Sequence, residues 1–88
     1  MQPSIPEQTQ RLIDLLEQHG EESWAVALRR LISEYDSAPE EVKADIRRLY
    51  GGMGSFNDVV LQDKSGPLGN ENDELDRVRS ELFAACNE

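Results

Sequence analysis

The chain has 88 residues, 38% of them hydrophobic, with 18 acidic and 9 basic side chains and a formal charge of −9. That length suits one domain and leaves little room for a second core or a deep enclosed cavity. The negative charge repels nucleic-acid phosphates and anionic lipid heads, so neither nucleic acid nor a membrane surface is an expected partner.

The first helix is predicted at roughly 5–19. Ser4 can accept from the backbone N–H near Glu7 while Glu7 reaches back, and Pro6 fits the first turn. Ile5, Leu12, Ile13, Leu15 and Leu16 form its apolar stripe, and Gly20 stands where a left-handed residue would end it. In a second helix, roughly 22–35, Trp24, Leu28, Leu31, Ile32 and Tyr35 fall at spacings of 0, 4, 7, 8 and 11. These positions bury one side of the helix, and Trp24 is the expected core anchor. A third helix, roughly 38–50, opens on Ser37-Ala38-Pro39-Glu40, an echo of Ser4-Ile5-Pro6-Glu7 that predicts a cap at Ser37. Val42, Ile46, Leu49 and Tyr50 continue its apolar face.

Residues 51–69 break the helical period and contain five of the six glycines, one proline and the β-like run Val59-Val60-Leu61. Met53, Phe56, Val59 and Val60 are interleaved with the glycines, which predicts an ordered loop pinned to the helices and containing a short β segment. Asn57 and Asp58 are expected to bond nearby backbone N–H groups. The exposed parts of this loop are the expected recognition surface, with Met53, Ser55, Asn57 and Asp58 as candidate partner-binding residues. Asn70 to Asp73 then supply caps for a last helix, roughly 71–86, whose Leu75, Val78, Leu82, Phe83 and Cys86 share a face. The expected architecture is all-α or mainly α: one domain over residues 1–88, a bundle of about four helices closed by a long Gly-rich loop.

Gly51-Gly52-Met53-Gly54-Ser55 is glycine-rich, yet it leaves a helix and has no Lys before its Ser, so a helix-ending turn explains it better than a phosphate loop. Asp63, Ser65, Asn70, Asn72, Asp73 and Glu74 do not follow the order of a calcium loop. His19 is the one histidine and Cys86 the one cysteine, which excludes an internal disulfide, a thiolate-rich zinc site and a centre of several imidazoles. Cys86 lies on an apolar stripe, where packing outweighs a nucleophilic pairing with His19. Arg29-Arg30 and Arg47-Arg48 read as ordinary surface ion pairing, with Glu34 one turn from Arg30. No catalytic, cofactor-binding or metal-binding residue is expected, and the chain reads as a non-enzyme.

Tyr50-Gly51-Gly52-Met53-Gly54-Ser55-Phe56-Asn57-Asp58, followed by an aliphatic run and preceded by Trp24-Ala25-Val26-Ala27-Leu28-Arg29-Arg30, resembles a family of short bacterial proteins whose domain has no known function. The resemblance implies a bacterial source and brings no activity, cofactor or partner with it. With one cysteine and no basic segment followed by an apolar run at the start, the expected location is the cytoplasm. The functional expectation is a small acidic protein-binding domain, of which an immunity-like or inhibitory protein for a basic partner is one form. Self-association with a second copy is the alternative, and a small enzyme using the Gly-rich loop a remote one.

Overall fold

The computed structural model describes residues 4–51 and 54–88. Ser4 begins the order: its hydroxyl accepts from the Glu7 backbone N–H at 3.2 Å and donates to the Glu7 carboxylate at 3.1 Å, starting α1 (Ile5–Gln18). The helix ends as its glycine requires. Gly20 has φ +83°, and the Glu21 N–H reaches back to the Leu16 carbonyl at 2.8 Å, satisfying an acceptor the last turn would otherwise leave open.

Helices α2 (Glu22–Ser33) and α3 (Pro39–Arg48) follow, with the same order and faces as predicted but shorter ends. The cap predicted at Ser37 does not form. Ala38 takes the capping position with no side-chain bond, and the Ser37 hydroxyl donates instead to the Glu34 carbonyl at 3.3 Å. A serine hydroxyl offered a carbonyl one turn back uses it, which diverts Ser37 from the next helix.

Helix α4 (Gly69–Cys86) starts two residues before the predicted position, and the caps expected from Asn70 to Asp73 are absent. Leu68 is its N-cap residue and supplies no side-chain acceptor. The β segment also falls slightly later than Val59–Leu61: β1 (Gln62–Asp63) pairs antiparallel with β2 (Gly66–Pro67), Gln62 opposite Pro67 and Asp63 opposite Gly66. Gly66 takes φ +118° in the turn, and the Asp63 carboxylate accepts from both the hydroxyl and the backbone N–H of Ser65 at 2.8 Å. The Ser65 hydroxyl bond holds the Asp63 carboxyl below its ordinary pKa.

Helix α1 packs against α2 and α4, while α3 closes the other side against the same two helices. The radius of gyration is 12.7 Å, close to the value of about 12 Å expected for a folded chain of this length. Leu12, Ile13 and Leu16 meet Leu28, Ile46, Leu75 and Leu82 at its centre, all fully buried. Trp24 does not anchor this core as predicted. It is half-buried at the edge, with its ring 5.1 Å from that of Phe56, which is fully buried and occupies the place assigned to tryptophan. The smaller ring of Phe56 enters without an indole N–H needing a partner, while Trp24 stays partly exposed. Phe83 also departs from expectation: it sits at the margin of the α4 stripe, 38% exposed.

Candidate functional site

The segment from Gly54 onward is tied back to the end of α3. The Phe56 N–H donates to the Leu49 carbonyl at 2.8 Å, and a 3-10 turn over Phe56–Asp58 follows. Gly54 (φ +73°) makes the turn possible, and its N–H donates to the Asp58 carboxylate at 2.7 Å. Val59 and Leu61 then point inward and Val60 outward, the alternation of an extended chain lying on a core.

Two polar side chains of α4 fasten this loop. The Arg79 guanidinium, only 5% exposed, donates to the carbonyls of Phe56 at 2.6 Å and Val59 at 3.0 Å and also bonds Asp76. About two turns nearer the helix start, Asn72 accepts from the Leu61 N–H at 2.7 Å. Its amide donates to the Leu61 carbonyl at 2.8 Å and the Leu68 carbonyl at 2.7 Å. Loop carbonyls buried without such donors would cost about 1–3 kcal/mol each.

The loop completes a row of aromatic rings that runs from the core to the surface. Trp24 lies against Phe56, Tyr50 meets Phe56 edge-on at 5.5 Å and 83°, and Phe83 lies 4.8 Å from Tyr50. The Tyr50 hydroxyl donates to the Arg79 carbonyl at 2.9 Å, which turns its polar end inward and leaves ring surface toward Phe83. Burial keeps the Tyr50 phenol protonated well above its ordinary pKa.

At the outer end of the row an open groove of about 270 Å³ is lined by Tyr50, Asn57, Ser80 and Phe83. Of the candidate partner-binding residues, Asn57 is exposed and lines this groove. Asp58 is exposed beside it, with one carboxylate oxygen held by Gly54. Ser55 is buried, and its hydroxyl donates to the Tyr50 carbonyl at 3.4 Å, so it shapes the loop from within. Met53 lies outside the described residues. Sequence reasoning did not find Ser80, Phe83 or Tyr50 as groove residues, or Arg79 and Asn72 as fasteners. The one available signal was Arg79 itself, a charge flanked by Val78 and Leu82 on the stripe that α4 buries.

The other sequence candidates resolve into local structure. Glu74 pairs with Arg11, Asn72 holds the loop, and Asp63 with Ser65 forms the hairpin turn. Arg29 pairs with Glu17 and Arg48 with Asp45, while Arg47 donates to the Cys86 carbonyl; the expected Arg30–Glu34 pair is not among the ion pairs of the described residues. Cys86 is fully buried, and burial raises its thiol pKa. Among the described residues no cluster of three or more His, Cys, Asp or Glu side chains could hold a metal, and no helix is long and apolar enough to cross a membrane.

Fold and site together define a small helical domain whose ordered loop is fastened by its last helix. The chain belongs to the family described as Domain of unknown function (DUF6966), which matches residues 17–69, from the end of α1 through the loop. No curated protein and no solved structure matches the chain.

Proposed function

We propose that this chain is a non-catalytic protein-binding domain of the bacterial cytoplasm that presents the Tyr50–Phe83 groove to a partner protein. One observation carries the reading: the side chains of Asn57 and Ser80, on the rim, make no hydrogen bonds to other described residues, beside an aromatic ring left 38% exposed. Unused polar groups around an exposed ring are the composition of a recognition patch, with an anchor at the centre and hydrogen-bonding groups at its edge. A formal charge of −9 favours a basic partner by steering, and an immunity-like or inhibitory protein is one form such a domain takes.

The test compares the wild-type chain with Asn57→Ala and Phe83→Ala for capture of partner protein, with melting temperature measured alongside. Capture lost while melting stays within a few degrees supports the groove. Capture unchanged in both variants removes it. Self-association is the second reading, favoured by Val26 at 58% and Val60 at 49% exposure. Light scattering that finds a stable dimer would select it.

A further inference from the structure

The groove is small for a cofactor. Its volume of about 270 Å³ falls below the range of roughly 300–1,000 Å³ typical of small-molecule pockets, and it is open to solvent. One side chain of a bound protein fits it better than a free metabolite. Its chemistry then narrows the choice: two tilted aromatic rings 4.8 Å apart form one wall, and the Asn57 amide and Ser80 hydroxyl offer oxygen acceptors at the rim. A carboxylate is disfavoured because Asp58 adjoins Asn57 and residues 51–88 carry 8 acidic against 3 basic side chains. A purely aliphatic side chain would cover the rings and make no use of either rim group.

We infer that the groove takes an arginine side chain of the partner, its guanidinium stacked on the Tyr50–Phe83 rings and donating to the side-chain oxygens of Asn57 and Ser80. Arginine is the cation that both stacks on aromatic faces and donates in a planar fork, whereas lysine offers a point charge. The molecule already contains this combination inside, where the Arg79 guanidinium lies 5.7 Å from the Phe56 ring centroid and donates to two carbonyl oxygens. The inference rests on the protein-binding reading above and names what that surface recognises.

The test is a titration of the full, isotopically labelled chain with the tripeptide acetyl-Ala-Arg-Ala-amide and its citrulline counterpart, followed by amide chemical shifts. The arginine peptide is expected to shift Asn57, Ser80 and Phe83 saturably, with citrulline at least tenfold weaker because it keeps the shape and loses the charge. Ser80→Lys, at an exposed position of α4, should weaken arginine binding by a similar factor without touching the core. No saturable shift at those residues, or equal binding of citrulline, overturns the arginine. Concentration-dependent shifts of the same amides in the chain alone would assign the groove to a second copy and overturn it as well. Partner capture that Phe83→Ala abolishes, with no arginine response, would remove this inference and leave protein binding standing. Capture that ignores both Phe83→Ala and Asn57→Ala would remove the groove reading and the inference with it.

Discussion

Arg79 lies with its guanidinium 5.7 Å from the Phe56 ring centroid and donates to the carbonyl oxygen of that same residue at 2.6 Å. One side chain therefore fixes both the ring and the backbone of the residue at the centre of the loop. Replacing Arg79 by Met keeps most of the bulk and leaves the Phe56 and Val59 carbonyls unpaired. The expected loss is about 2–4 kcal/mol, and Arg79→Lys should recover less than half of it. Asp76 is largely exposed, so Asp76→Ala should cost no more than about 1 kcal/mol. Urea midpoints of the three variants check this ordering, and an Asp76 loss equal to that of Arg79→Met would contradict it.

Asn72 supplies three hydrogen bonds to the base of the hairpin. Asn72→Asp keeps the acceptor but cannot donate to the Leu61 and Leu68 carbonyls while ionised, at an expected cost of about 2–3 kcal/mol. Amide exchange gives the finer measurement. In Asn72→Ala the Leu61 N–H should exchange much faster than α1 amides such as that of Leu16; equal acceleration would show that the effect is global.

Phe56 is fully buried and Trp24 only half-buried. Phe56→Ala should therefore be the more damaging change, at about 3–5 kcal/mol, with Trp24→Ala clearly below it. Chemical denaturation of both variants decides the order, and a larger loss for Trp24 would return the tryptophan to the centre of the core.

Tyr50 makes stability depend on alkaline pH. Its ordinary pKa is 10.0, and burial raises it in the folded chain. Below about pH 10 both folded and unfolded phenols are protonated and the contribution is constant. Above it the unfolded chain releases the proton first, so stability falls as pH rises. Tyr50→Phe should cost about 1 kcal/mol at neutral pH through the lost bond to Arg79, and should flatten the decline above pH 10. Melting curves at pH 8 and 10.5 measure both effects. A decline as steep in Tyr50→Phe as in the wild type would assign it elsewhere.

Cys86 is buried and its thiol pKa is raised, chiefly by burial. A thiol reagent should label the native chain at pH 8 far more slowly than the urea-unfolded chain. Rapid native labelling would show that the end of α4 opens.

Much of the helical scaffold was legible because its signals are local. Ser4, Gly20 and the α1 stripe behave as their spacing predicts, since a cap needs only neighbours three residues away and an apolar stripe needs only a period. Ser37 carried the same local signal and failed, because Glu34 offered its hydroxyl a competing acceptor. The order of the loop was legible from Phe56 and Val59. Its fasteners were not: Arg79 and Phe56 stand 23 residues apart and Asn72 and Leu61 stand 11 apart. The groove was divided in the same way. Asn57 stood out within the glycine-rich segment, while Ser80 and Phe83 come from the opposite wall and acquire meaning only when α4 is in place.

The dependence of the loop on Arg79 and Asn72 also sets the timing of assembly on the ribosome. The helices α1 to α3 and the loop emerge before any residue of α4, whose 18 residues take about one to four seconds to synthesise at roughly 5–20 residues per second. For that interval the carbonyls of Phe56, Val59 and Leu61 lack their side-chain donors, and the face of the nascent chain that α4 will cover remains open to water or to a chaperone. Order in the loop arrives with the last helix, so a nascent chain halted at residue 69 would carry the whole family-matched stretch and still lack both fasteners of its loop.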